Sequence, residues 1–249
     1  MYPTEQPFSL PSCDSPESLR FVYLNLKDHP RGTLMLQQLL AAGFRPAMVV
    51  EEDSGLAEAG RASQLAELSQ LTGFMAPPAT REVCEEHCIR YELVPDHNGS
   101  AAKEALQEAT VDLVVLGDTR ILKPYIIDSV PYGIVNVHPG FLPDVRGNNP
   151  YIWAVIHGLP QGATVHLIDS RVDRGPVMHV EKYELPRGTT LPRLILDLNE
   201  LCGKVLVEAL RRLTRGTATL TEQPDDRRLT FREASPEIRA LATKMLHSR

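Results

Sequence analysis

The chain has 249 residues, 43% hydrophobic and 23% charged, an ordinary globular composition that suits one large α/β domain or one domain with a small appendage. A formal net charge of -6 argues against a generic nucleic-acid binder, because phosphate binding wants a basic surface. No segment has the apolar length of a bilayer span, and the opening "MYPTEQPFSLPSCDSPES" lacks the basic and apolar regions of a signal peptide, so a cytoplasmic protein without membrane contact is expected.

Residues 1–18, rich in Pro and Ser, read as a poorly ordered arm. The apolar run 19–26 predicts a strand, 32–43 a helix stopped by Gly43, and 45–53 a second strand. Residues 65–73 and 79–88 continue as helices, 89–95 as a strand, and 100–109 as a helix opened by Ser100. Strands follow at 111–117 and 132–137. Strand and helix thus alternate with short connectors, the pattern of an α/β doubly wound, mostly parallel sheet. Two strand-like runs around a polar turn occupy 162–185, an amphipathic helix 191–213, and a terminal helix 235–246. The simplest division is an N-terminal arm (1–18), a catalytic domain (19–190) and a C-terminal helical extension packed on the core (191–249). Cys84, His87 and Cys88 have no second ligand pair at zinc-finger spacing, so no metal is expected.

The stretch "NVHPGFLPDVRG" (136–147) closes an apolar run. Asn136 and His138 are two residues apart in a strand and therefore share a face, at the carboxyl end where ligands bind in open α/β sheets. Each has a bland alternative: Asn136 capping the turn at Pro139, His138 buried against backbone, and Asp173 forming an Asx turn before Gly175.

The order N-x-H-P-x-x-L-P-x-x-x-G (Asn136 to Gly147), then G-x-T-x-H (Gly162 to His166), then D-x-G (Asp173 to Gly175) resembles the folate-dependent formyltransferases, with a Rossmann-like core. That family includes the glycinamide ribonucleotide, methionyl-tRNA and amino-sugar enzymes. The resemblance implies a formyltransferase using 10-formyltetrahydrofolate as co-substrate, with Asn136, His138 and Asp173 catalytic. Formyl transfer to an amine builds negative charge on oxygen and must remove a proton, which an amide donor and an imidazole held by a carboxylate can serve. "LGDTRILKPYI" (116–126) is similar to the family's folate-pocket segment, so Arg120, Ile121 and Leu122, together with Asp169, are expected to bind folate; Arg120 to Leu122 could equally open a core-packing helix. Asp118-Thr119 replaces the aromatic and apolar pair usual before that Arg.

The loop "NLKDHPRG" (25–32) lacks the Gly/Ser/Asn pattern that cradles a phosphate in the glycinamide ribonucleotide enzymes. The segment after Leu185 is short for the RNA-binding domain of the methionyl-tRNA enzymes. The expected partner is therefore a small-molecule amine, with a nucleotide-linked amino sugar favoured, no nucleic acid, and a homodimer possible. Asn148 and Asn149 are candidate acceptor-binding residues, or caps of a helix near Pro150, and His166 is grouped with them, although it could also support the site from behind or line a strand. Alternatives are hydroxyornithine as acceptor, hydrolysis of formyl-folate, or another acyl donor such as a coenzyme A thioester.

Overall fold

The strand β2 (Phe21–Leu26) is buried at all six positions, as expected of a run flanked by helices on both faces. Around it the computed structural model, which describes residues 5–10, 13–224 and 230–248, builds an α/β sheet of nine strands. In chain order the elements are β1 (Glu5–Pro7), β2, α1 (Pro30–Ala41), β3 (Met48–Glu52), α2 (Gly55–Leu68), α3 (Thr80–Glu86), β4 (Arg90–Val94), α4 (Ser100–Ala109), β5 (Leu113–Leu116), α5 (Pro124–Ile127) and β6 (Ile134–His138). They continue as β7 (Arg146–Gly147), α6 (Pro150–His157), β8 (Gln161–Leu167), β9 (Val177–Tyr183), α7 (Leu191–Thr214), β10 (Thr219–Thr221), β11 (Thr230–Phe231) and α8 (Pro236–His247).

The sheet order is β1-β10-β9-β8-β6-β5-β2-β3-β4. The five strands from β4 to β6 are parallel and doubly wound, with the order reversing beside β2. In this sheet the pairings β6-β8, β8-β9, β9-β10 and β10-β1 are antiparallel, and β7 pairs with β11 parallel in a separate two-stranded sheet. The alternation of each strand divides the core. Phe21, Tyr23, Leu113, Val115, Val135 and Val137 face α1 and α7, whereas Val22, Leu24, Val114, Leu116 and Ile134 face α4 and α5.

Several sequence expectations are corrected. The expected disorder of 1–18 does not hold over Glu5–Pro7, which pairs with β10 at the sheet edge, nor at Leu10, which is buried; residues 1–4 and 11–12 lie outside the described residues. Helix α2 runs from Gly55 to Leu68, ending before the expected 73, and opens where the Ser54 hydroxyl accepts from the Ala57 N–H. Its periodicity is weak, with only Ala57 and Leu68 buried. Ser100 is the first residue of α4 and Gly99 stands at the cap, without a side-chain bond. Helix α7 buries Cys202, Val205, Leu206, Ala209, Leu210 and Leu213 against the same core as β2 and β8, and Leu191, Leu194, Ile195 and Leu198 in a second cluster with Ile152 and Val155 of α6.

Candidate active site

Asn136 and His138 share the α4 face of β6 with Ile134. Directly across the ladder, Asn136 pairs with His166 and His138 with Thr164. The Asn136 amide Nδ2 donates to His166 Nε2 at 3.1 Å, and His166 Nδ1 donates to the Leu167 carbonyl at 2.9 Å. That is the pattern of a neutral ring, with Nε2 accepting. Burial pushes the His166 imidazole down, only partly opposed by the Asp173 carboxylate, which keeps it uncharged. The second Asn136 N–H meets no partner among the described residues and can receive an oxygen from outside.

His138 is nearly fully buried, and its Nε2 donates to the Val145 carbonyl at 2.9 Å. Its other ring nitrogen, Nδ1, faces Asp173 Oδ2 at 3.5 Å. Asp173 comes from the loop joining β8 to β9, in the left-handed region at φ 52°. Its Oδ2 also accepts the Gly147 N–H at 2.7 Å, and its Oδ1 lies 3.7 Å from His166 Nε2. The carboxylate thus reaches across to other elements instead of closing an Asx turn on itself. The loop can return only because residue 175 is Gly: a Cβ there would lie 1.9 Å from the Leu167 carbonyl oxygen. Asn136, His138 and Asp173, which the family resemblance marked, are thus brought together at one sheet end as an amide, an imidazole and a carboxylate.

A family model described as formyl transferase matches residues 60–210. The chain belongs to the formyl transferase family. It is similar to the methionyl-tRNA formyltransferase of Lachnospira eligens, 30% identical over 210 residues, covering 83% of this chain and 62% of that protein. The chain spans 62% of the length of the first curated relatives it matches. Among solved structures it is similar to glycinamide ribonucleotide transformylase 1 of Symbiobacterium toebii, with a TM-score of 0.62, 20% identity, and coverage of 80% of this chain and 88% of that one. A sugar N-formyltransferase of a Shewanella species gives a TM-score of 0.62 at 13% identity, covering 92% and 87%. At these identities the structural likeness is one of fold.

In this member of the family the segment expected to bind folate divides into three environments. Arg120 grips the fully buried Glu52 through Nε at 2.8 Å and Nη2 at 2.6 Å, with Asp96 at 3.2 Å, so its guanidinium is committed to the protein. Ile121 is 74% exposed, and Leu122 is buried against the α4 side of the core. Asn98 holds the segment, donating to the Ile121 carbonyl and accepting the Lys123 N–H. Asp169 accepts from the Arg171 backbone and guanidinium.

His166 is fully buried with both ring nitrogens bonded, so it supports Asn136 instead of contacting substrate, a correction to its grouping with the acceptor residues. Asn148 is exposed, as an acceptor contact would be. Asn149 stands at the N-cap of α6 without a side-chain cap bond, and its Oδ1 accepts from the Ala234 N–H at 2.9 Å, tying the chain before α8 to this loop. Asp118 turns back to the loop after β2, where it accepts from Arg31 Nη2 at 2.6 Å and lies 3.3 Å from His29 Nδ1. Sequence reasoning missed Arg146, which is fully buried and donates from Nε to the Asp173 carbonyl at 3.3 Å. The only signal was its place inside the L-P-x-x-x-G spacing.

Proposed function

We propose that the protein moves the formyl group of 10-formyltetrahydrofolate to the amine of a small metabolite, with a nucleotide-linked amino sugar as the favoured acceptor. The observation that carries this reading is the Asp173 carboxylate 3.5 Å from His138 Nδ1, beside an Asn136 amide with a free N–H. When bound, the folate supplies the formyl carbon: a bond forms from the acceptor nitrogen to that carbon, the bond from the carbon to N10 breaks, and the proton lost by the acceptor ends on N10. Asn136 donates to the formyl oxygen as charge develops there. His138 holds the travelling proton on Nδ1, and Asp173 stabilises the resulting cation. Ile121, an exposed apolar side chain beside buried Leu122, fits the edge of a flat ring.

The loop after β2 supports an acceptor without a phosphate cradle. Its backbone N–H groups at Lys27, Asp28, His29 and Arg31 are taken by the Glu52 carbonyl, the Glu51 carboxylate, the Leu26 carbonyl and Gln64 Oε1. A second reading, an aminoacylated RNA as acceptor, is favoured by the names of the curated relatives. The test is incubation with formyl-folate and a panel of amines, following tetrahydrofolate release. Release that requires an amino-sugar nucleotide is expected. Release only with methionyl-tRNA selects the second reading, and release only with hydroxyornithine keeps the mechanism and replaces the acceptor. Full-rate release without any amine makes the protein a hydrolase, and no release at all points to another acyl donor.

A further inference from the structure

We infer that Gln223, two residues beyond β10, is a positioning residue that sets Asp173 through the main chain, an inference whose kinetic arm rests on the formyl-transfer reading. The Gln223 carboxamide is used at every position. Its Nε2 donates to the Asp173 carbonyl at 2.9 Å and to the Gly175 carbonyl at 2.8 Å. Its Oε1 accepts from Arg146 Nη2 at 2.9 Å and Nε at 3.3 Å. A flipped amide would turn its NH2 toward a guanidinium, so the chemistry of the neighbours fixes which end is which.

The consequence reaches the reacting groups in two steps. Asp173 occupies the left-handed region at φ 52°, a conformation that a residue with a side chain keeps only where its surroundings over-determine it. Gln223 supplies that constraint by holding the carbonyls on both sides of Arg174, while Arg146 adds a second donor to the Asp173 carbonyl. The residue after Arg146 is Gly147, whose N–H holds the Asp173 carboxylate at 2.7 Å. Gly147 is seated in turn against β11, where a Cβ would lie 2.1 Å from the Phe231 carbonyl oxygen. Backbone and carboxylate of Asp173 are therefore fixed by one knot, Gln223 with Arg146 and Gly147, and the 3.5 Å gap to His138 follows from it. Gln223 has no hydrogen bond to His138 or Asn136 among the described residues.

The experiment compares Gln223→Ala and Gln223→Glu in the full chain, alone and with Asp173→Asn. Gln223→Glu keeps the size and the contact to Arg146 but cannot donate to the two carbonyls, so it tests the donors even where the alanine variant folds poorly. Each single variant should lower kcat about 10-fold or more with both KM values within about twofold, because a small misplacement of a reacting group is costly. In the Asp173→Asn background the same change should cost less than about twofold. Losses that multiply in the two backgrounds, or an unchanged kcat, overturn the inference. A readout independent of substrate is the His138 ring signals in a nitrogen-15 spectrum, assigned with His138→Gln. They should move in Gln223→Glu in the direction seen for Asp173→Asn, and unmoved signals overturn the inference. An unmodified chain that transfers no formyl group fails the functional reading alone, and the spectrum still decides this one.

Discussion

Arg120→Ala removes the principal partner of Glu52, a carboxylate with no solvent exposure. Breaking a buried pair from one side costs about 3–5 kcal/mol. The low end applies here, because Glu52 keeps the Ser54 hydroxyl and the His97 N–H, and Arg120 is itself 28% exposed, so water can follow into its place. A loss of about 3 kcal/mol at about 2–4 °C per kcal/mol lowers Tm by about 6–12 °C. The sign with pH is equally specific. Burial alone would raise the Glu52 carboxyl, but Arg120, then Ser54 and the His97 N–H, more than offset it and hold it below the usual range. Its contribution is therefore present above the unfolded carboxylate value and lost as pH falls through the lower folded one. Without Arg120 the burial effect dominates, the folded value rises above the unfolded one, and the penalty grows as pH rises. Thermal melts at pH 7 and about pH 4.5 should show a large and a small difference from the unmodified chain, respectively, and Glu52→Gln in the Arg120→Ala background should recover part of the loss at pH 7. A Tm change below about 2 °C at pH 7, or the same change at both pH values, would refute this reasoning and return Arg120 to the ligand.

Asn136→Ala and His138→Ala should each lower turnover by about 100-fold or more with the fold intact by circular dichroism, and wild-type-like rates in either would remove the proposed centre. Asp173→Asn keeps the Gly147 contact through its oxygen but loses the charge facing His138, so a large fall in kcat and an altered pH–rate curve are expected, with folate affinity measured by titration little changed. Asn149→Ala should cost about 1 kcal/mol in urea unfolding through the lost Ala234 bond and leave the acceptor KM unmoved; a raised KM would place Asn149 in the acceptor cleft.

What the sequence made legible was what short-range pattern controls. The buried runs of β2, β5 and β6 announce themselves, and a two-residue spacing is by itself enough to put Asn136 and His138 on one face of a strand. What escaped depends on distant partners. The two-residue strands β7 and β11 exist only because they pair with each other across most of the C-terminal half. Glu51 and Glu52 end a strand in full burial, which composition argues against. They are tolerated because Asn25 and Tyr91 bond the first and Arg120 bonds the second, residues far apart in sequence. The ion pair of Arg120 was hidden for the same reason: a motif position says which residue is present but not which carboxylate reaches it. Gln223 carries no local signal at all, since its partners lie some 50 and 77 positions away.

The two imidazoles at this sheet end have different tasks in the proposed reaction. One passes a proton during turnover in the proposed reaction. The other, His166, is held neutral by burial and spends its lone pair on Asn136. Were His166 able to charge, a proton arriving on it would remove the acceptor that aims the Asn136 amide. In the proposed reaction, fixing one ring in a single tautomer insulates the aim of the oxyanion donor from the acid–base cycle next to it. A site built this way can vary its proton traffic, through solution pH or a change at Asp173, while its hydrogen-bond donor keeps pointing in the same direction.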